Sequence, residues 1–334
     1  MKLVTGGTGL LGSHLLHSLV SGGSAIRATY RRKSSIEKTR QIFSYYGSDS
    51  LKRFHSIEWV KADLLDVCQL EKVCNGIQEV YHCAGMVSFN QKHHHLMMKT
   101  NVEGTANLLN ASLNAGVTKF CHVSSIATFG RPEKNADFVH ENSRHDENDR
   151  FSMYAKSKYL AELEVWRAAE EGLNAMIINP STIIGSGNWE YGSSAIFSRV
   201  KKGLLFYTEG INGFIDVRDV VNAMKALMER NAFREQFILV GENLSFKVLL
   251  SYISEGLGLK APAYRATKIM SEILWRFEQI RCLVQGSEPV ITKESAKIAL
   301  DKQFYSNAKV KERLNMEFIP IQQAVNEASR NFKS

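Results

Sequence analysis

Apolar and polar positions alternate in blocks along this chain from its first residues. Short apolar runs bounded by turn residues predict buried strands at Lys2–Thr5, Ala25–Tyr30, Ile57–Lys61, Glu79–Ala84, Thr118–Ser124, Asn174–Asn179 and Gln236–Val240. Between them the apolar residues recur at helical spacing. Leu10, Leu11, His14, Leu15 and Leu19 fall on neighbouring faces after the first strand. Ser34-Ser35 can cap a helix that begins near Ile36. A long helix is predicted from about His93 to Ala115, ending at Gly116, and another over Met153–Glu171, stopped by Gly172. Strands alternating with such helices predict an α/β fold: a doubly wound parallel sheet of about seven strands, right-handed crossovers, and ligands at the carboxyl ends of the strands.

Two regions break this rhythm. Arg131–Arg150 is polar and predicts a loop, and Gly185–Ile211 is rich in glycine and aromatic residues. After Val240 the chain reads as helical, with no strong strand signal. The expected organisation is a nucleotide-binding domain from residues 1–184 plus about 212–243. A smaller, discontinuous substrate-binding lobe would come from about 185–211 and 244–334.

Composition narrows the function classes. With 44% hydrophobic and 23% charged residues, the 334-residue chain is built to fold. No run approaches the ~18–20 apolar residues of a membrane span, and four glycines within the first twelve residues spoil a signal-peptide reading of the N-terminus. The +8 charge is spread over short clusters such as Arg31-Arg32-Lys33 and Lys201-Lys202, which suits a phosphate-bearing small molecule better than nucleic acid. The five cysteines are odd in number and lack metal spacing. His93-His94-His95 invites a metal reading, but adjacent helical residues point about 100° apart, so a solvated helix start is expected instead. These features predict a soluble cytoplasmic protein with no metal, no nucleic-acid partner and no membrane partner.

Three motifs carry chemistry. The turn Gly6-Gly7-Thr8-Gly9-Leu10-Leu11-Gly12 lies between the first strand and its helix. Gly6 permits the tight turn, Gly9 lets backbone approach a pyrophosphate, and Gly12 lets helix pack on strand. At the end of the second strand, Arg31-Arg32-Lys33 stands where a free ribose hydroxyl would want a carboxylate, and none occurs until Glu37. Arg31, with Lys38 adding charge, favours NADP over NAD, although a solvated basic loop would look the same. Tyr154 and Lys158 stand four apart on one helix face, where an ammonium can bring a phenol of pKa about 10 toward the working range. Val123-Ser124-Ser125 ends the fifth strand, where a serine hydroxyl can hold a carbonyl oxygen that gains charge.

With these motifs in this order, the chain resembles extended short-chain dehydrogenases/reductases of the NAD(P)-dependent epimerase/dehydratase group, with a Rossmann sheet, and especially dihydroflavonol-4-reductase-like proteins. The resemblance runs from Met1 to about Ala223 and continues more loosely beyond. It implies a catalytic triad of Ser125, Tyr154 and Lys158, with Ser125 preferred over Ser124 because it is the serine nearest Ile126-Ala127. It also implies cofactor contacts from Thr8, Leu10 and Leu11 in the glycine turn, and from Asp63 and Leu64 near adenine. Cys83, Ala84 and Gly85 would end the fourth strand against the cofactor, and Asn101 would lie on the long helix. Pro180 and Ser181 of Asn179-Pro180-Ser181 would flank the nicotinamide. Asn101 could complete a proton relay or make a structural hydrogen bond within its helix. Asp216 and Asp219, flanking Arg218, read as a structural ion-pair set.

The expected activity is NADP-dependent reduction of a ketone or aldehyde, with a small carbonyl or hydroxyl compound as substrate. The alternatives are a nucleotide-sugar epimerase or dehydratase with transient hydride transfer, and a non-catalytic NADP-sensing protein. Sugar-nucleotide members commonly carry Arg-Tyr-Phe-Asn where this chain has Asn179-Pro180-Ser181-Thr182. Val87, Ser88, Phe89, the loop after Gly130, and the aromatics Trp189, Tyr191, Phe197, Phe206 and Tyr207 would line an apolar pocket, or else form the small lobe's core. A homodimer would pair the two long helices through Ala161, Leu163 and Trp166, unless these face the sheet.

Overall fold

The computed structural model describes residues 1–132, 136–143, 152–285, 289 and 291–333. Much of the loop expected at 131–150 lies outside the described residues. The strands are β1 (Lys2–Thr5), β2 (Ile26–Tyr30), β3 (Glu58–Lys61), β4 (Glu79–His82), β5 (Lys119–Val123), β6 (Ala175–Pro180), β7 (Thr182–Ile184), β8 (Phe206–Tyr207), β9 (Ile211–Asp216), β10 (Gln236–Leu239), β11 (Glu242–Ser245) and β12 (Tyr264–Arg265). Seven of them form one sheet in the order β10-β6-β5-β4-β1-β2-β3, and every pairing in it is parallel. The chain moves outward from β1 to β3, then crosses back to β4 on the other side of β1. That reversal opens a crevice at the carboxyl ends of β1 and β4.

The helices are α1 (Leu10–Ser21), α2 (Ser34–Ser44), α3 (Ser48–Phe54), α4 (Val67–Cys74), α5 (His94–Met98), α6 (Gly104–Asn114), α7 (Met153–Glu170), α8 (Ala195–Lys201), α9 (Val217–Glu229), α10 (Phe246–Leu257), α11 (Lys268–Gln285), α12 (Lys293–Leu300), α13 (Ala308–Leu314) and α14 (Ile321–Lys333). Successive residues of a strand point to opposite faces, and both faces of this sheet are covered. From β5 and β6, Cys121, Val123, Met176 and Ile178 pack with Leu15, Leu16, Met224 and Leu227 of α1 and α9. Their neighbours Phe120, Ala175 and Ile177 pack with Leu70, Leu108 and Val165 of α4, α6 and α7. This double burial explains the nearly continuous apolar runs.

A separate cluster holds Phe197, Phe214, Leu249, Ile253, Val325 and Ala328. Trp189 packs on Phe197 and on Phe332, so these two aromatics of the expected pocket belong to this core, whereas Tyr191 is exposed. Several details differ from the sequence pattern. β11 pairs antiparallel with β9 although Glu-Asn-Leu-Ser carries no strand signal, because backbone pairing at this edge asks little of the side chains. The long helix is not continuous: a five-residue π-helical turn, Lys99–Glu103, separates α5 from α6. His93–His95 span the junction between a 3-10 turn and α5. Ala161 is fully buried within the protomer, Trp166 packs on the second cluster, and Leu163 is exposed. Among the described residues no helix is long and apolar enough to cross a membrane.

Candidate active site

The turn after β1 is shaped by what cannot fit in it. Gly6 has φ +67°, and a Cβ there would lie 2.5 Å from the Ala84 nitrogen. A Cβ on Gly12 would lie 2.8 Å from the Gly6 carbonyl carbon and 2.9 Å from the Gly7 Cα. These two glycines are required by the chain's own packing. Gly9 is different: it is extended (φ −87°), exposed, and a Cβ there would meet only the Gly6 carbonyl oxygen, at 3.3 Å. Gly9 caps α1 without a side chain, and the first turn carries no acidic residue. The open N-terminus of α1 therefore offers backbone N–H groups and a positive dipole end to an anion.

Across the crevice, Ser152 caps α7 by accepting from the Ala155 N–H at 2.9 Å. Tyr154, Lys158 and Glu162 then follow at i, i+4 and i+8 on one helix face. The Tyr154 phenol lies beside the Ser125 hydroxyl at the carboxyl end of β5, close enough for that hydroxyl to favour the phenolate. Ser125 also caps a 3-10 turn, accepting from the Ala127 N–H at 3.2 Å. Lys158 donates to the Val123 carbonyl at 2.8 Å. Burial lowers its pKa to about 8, against the pull of the Glu162 carboxylate. The Tyr154 phenol sits above its ordinary range because burial disfavours the phenolate more than the nearby Ser125 hydroxyl favours it. The lowering expected from spacing alone is therefore not what this pocket does to the phenol, as the Lys158 ammonium is turned toward a backbone carbonyl.

Behind Ser125 lies a polar network that the sequence gives little reason to expect. Glu162 is buried and accepts from the Ser124 hydroxyl at 2.5 Å and from Asn179 Nδ2 at 2.7 Å. Asn179 also donates to the Ser125 carbonyl at 3.0 Å. Burial raises the Glu162 pKa while its donors pull the other way. The signal available was the second i+4 step, from Lys158 to Glu162.

A second network joins the strand ends. The Thr105 hydroxyl gives its one proton to the Asn101 carbonyl at 2.6 Å, so it must accept from His82 Nε2–H at 3.0 Å. His82 Nδ1 then accepts from the Thr5 hydroxyl at 2.6 Å. Burial lowers the His82 pKa to about 3, consistent with this neutral tautomer. Asn101, on the π-helical turn, holds the loop after β4 by bonding both the N–H and the carbonyl of Met86, at 2.7 and 2.9 Å. Its Nδ2 also donates to Ser157, at 2.9 Å. Its side-chain bonds thus leave its own helix and reach β4's loop and α7.

A model described as the NAD dependent epimerase/dehydratase family matches residues 2–241. The chain belongs to that family. It is of the extended short-chain dehydrogenase/reductase type, a group of NAD(P)-dependent reductases and epimerases or dehydratases. A Synechocystis sp. protein named after dihydroflavonol 4-reductase is 27% identical over 99% of this chain and 94% of its own length. Cinnamoyl-CoA reductase 1 of rice (Oryza sativa subsp. japonica) is 26% identical over 97% of this chain and 88% of its own. The crystal structure of gox2253 superposes with a TM-score of 0.80 at 29% identity, covering 100% of this chain and 98% of that one.

In this member of the family, Cys83 and Ala84 lie backbone-to-backbone against Gly6, and a Cβ on Gly85 would lie 3.1 Å from Lys158 Nζ. Thr8 is half-buried, Leu11 is in the core, and Leu10 faces the loop at Gly187. Arg31 is exposed immediately beyond β2. Lys38 lies over the Tyr191 ring, 5.9 Å from its centroid. Glu37, the first carboxylate after β2, is paired with Arg40 at 3.2 Å. Asp63 is exposed and accepts from the Leu65 N–H at 3.0 Å. Leu64 is turned inward onto Gly104, and its carbonyl accepts from Asn107. Pro180 is buried at the end of β6, and the buried Ser181 hydroxyl meets no partner among the described residues. Arg218 pairs with Asp216 at 2.7 Å and Glu327 at 2.6 Å, whereas Asp219 accepts from the Ile319 N–H at 2.8 Å. The Phe89 ring stands edge-on to Tyr154 at 6.1 Å.

Proposed function

We propose that the protein is an NADP-dependent reductase of ketones or aldehydes, with Ser125, Tyr154 and Lys158 as its catalytic residues. The observation that carries this reading is the juxtaposed Ser125 and Tyr154 hydroxyls with buried Lys158 one helical turn on, at the carboxyl ends of the strands beside the glycine turn. The crevice fits a dinucleotide: Gly9 leaves space that a Cβ would fill at an uncapped helix N-terminus. Gly6, Thr8, Gly9, Leu10, Leu11 and Gly12 would hold the pyrophosphate through backbone. Arg31 would meet the ribose 2′-phosphate, with Lys38 behind it. Asp63 and Leu64 would lie near adenine, the latter through backbone only. Cys83, Ala84, Gly85, Asn101, Pro180 and Ser181 would border the nicotinamide end.

The bound nicotinamide supplies a hydride to the carbonyl carbon. Ser125 and Tyr154 hold the carbonyl oxygen, and Tyr154 gives it a proton as charge develops. Lys158, held at the Val123 carbonyl in the free protein, would replenish the phenol's proton. Residues 185–211 and 244–334 form the substrate lobe, and a reductase reading is supported by Asn179-Pro180-Ser181 in place of a sugar-nucleotide signature.

The test is titration with NADPH and NADH, followed by nicotinamide absorbance with a panel of ketones and aldehydes. Net consumption with NADPH preferred is the expected result. Binding without consumption would point to epimerisation, and NADH preference would overturn the role of Arg31.

A further inference from the structure

Helix α11 is amphipathic in the wrong sense for a helix packed on its own protein. Its protein-facing side carries Ser271 and Cys282, both buried, with Trp275 and Glu278 half-buried between them. The opposite side carries Ile269, Ile273, Phe277 and Ile280, exposed by 73, 62, 66 and 62%. At about 100° per residue, these four side chains fall within an arc of about 80°. Scattered exposed apolar residues are ordinary, but an aligned stripe of large ones is the mark of an interaction surface. The patch continues where β12 leads into α11: Tyr264 is exposed and pairs with Phe206, beside the exposed Leu205.

Charge decides what would cover it. Residues 203–209 and 259–285, which carry this patch, contain five Lys or Arg against three Asp or Glu, a surplus of +2. Local pairs such as Arg265–Glu209 and Arg276–Glu272 leave that net sign in place. A second copy docked by two-fold symmetry would bring two such positive regions face to face. An anionic surface would be attracted instead, and an exposed apolar stripe on a helix that also carries Lys268, Arg276 and Arg281 suits a helix lying in a lipid interface.

We propose that α11, with the β8–β12 edge, seats the protein on an anionic lipid surface by inserting the stripe among the headgroups. This is a peripheral contact, independent of the catalytic reading. The experiment is co-sedimentation of the full-length protein with vesicles of phosphatidylcholine alone and of phosphatidylcholine mixed with phosphatidylglycerol. The wild-type protein should sediment with the anionic vesicles, weaken as salt rises, and stay in solution with the neutral ones. The double variant Ile273→Asp/Phe277→Asp should lose at least about tenfold in partitioning. Ile273→Ser/Phe277→Ser, gentler to the fold, should lose most of it as well. Val67→Asp, at an exposed valine on α4, should bind like the wild type, with far-UV circular dichroism reporting that each variant is folded. Absence of wild-type binding, equal binding to neutral vesicles, a folded stripe variant that binds unchanged, or a wild-type dimer that the variant splits would each overturn the proposal.

Discussion

Consider alanine placed in turn at Gly6, Gly9 and Gly12. At Gly12 the new methyl would press on the Gly6 carbonyl group and lie 2.9 Å from the Gly7 Cα. Backbone on both sides leaves no side chain to yield, so α1 must lift by roughly 1 Å to restore contact distance. Overpacking of this kind costs about 1–3 kcal/mol, and the gain in helix propensity offsets about 1. At Gly6, left-handed backbone adds a further penalty of about 1–2 kcal/mol to a clash at 2.5 Å with Ala84. An unfolding entropy of roughly 2.1 cal/mol/K per residue gives about 0.7 kcal/mol/K for a chain of this length. Losses of about 0–2 kcal/mol at Gly12 and about 2–5 at Gly6 should then lower Tm by about 0–3 °C and about 3–7 °C.

Gly9→Ala should do neither, because its backbone is extended and nothing but one oxygen at 3.3 Å stands near the added methyl. Its Tm should stay within about 1 °C of the wild type, since the lost N-cap preference for glycine offsets the smaller unfolded-state entropy. Its Kd for NADPH should nevertheless rise at least ~10-fold, or about 1.4 kcal/mol, as the methyl occupies space meant for a phosphate. Thermal melts without cofactor and fluorescence titration with NADPH make the comparison. If Gly9→Ala lowers Tm as far as Gly6→Ala, or leaves NADPH affinity unchanged, the division between packing and binding glycines is wrong.

Three further outcomes follow from the site. Tyr154→Phe should keep NADPH affinity within about twofold, a fraction of a kcal/mol, while carbonyl reduction falls by at least ~100-fold, read in steady-state kinetics. Glu162→Gln keeps an acceptor oxygen for the Ser124 and Asn179 donors but loses the charge that strengthens both bonds, costing about 1–2 kcal/mol. It also removes the charge that raises the Lys158 pKa, so the alkaline limb of kcat/KM against pH should move to lower pH, and a limb that stays in place would remove Glu162 from the site's electrostatics. His82, lowered to about 3 by burial, contributes stability that is present above pH 6.5 and lost as pH falls below it. The raised Asp219 and Glu294, at about 6 and 7, act in the opposite sense. The variant's difference from wild type therefore isolates the histidine: between pH 7 and pH 5, His82→Gln should lose about 2 kcal/mol less, or about 3 °C of Tm, than wild type.

The sheet was legible because its strands are buried on both faces and so appear as apolar runs. Their ends were less so: β4 stops at His82 rather than Ala84, since Cys83 to Gly85 leave the ladder to meet Gly6 and Lys158. The glycine turn and the Tyr154–Lys158 step were legible as local spacing. Glu162 was not, because its partners Ser124 and Asn179 come from two other strands' ends, and their convergence is a property of the sheet order. β11 escaped notice for a similar reason, as its partner β9 supplies the pairing that its own residues do not advertise.

The π-helical turn at Lys99–Glu103 carries one residue more than an α-helical turn would hold. Removing a single residue there would let α5 and α6 fuse, and would swing every preceding side chain by about 100°. Buried Met97 would leave the interior, and the amide that grips Met86 would face elsewhere. This stretch therefore counts its residues. Among descendants of the same ancestor, gaps should collect in the outer loops and be missing between Met97 and Leu108.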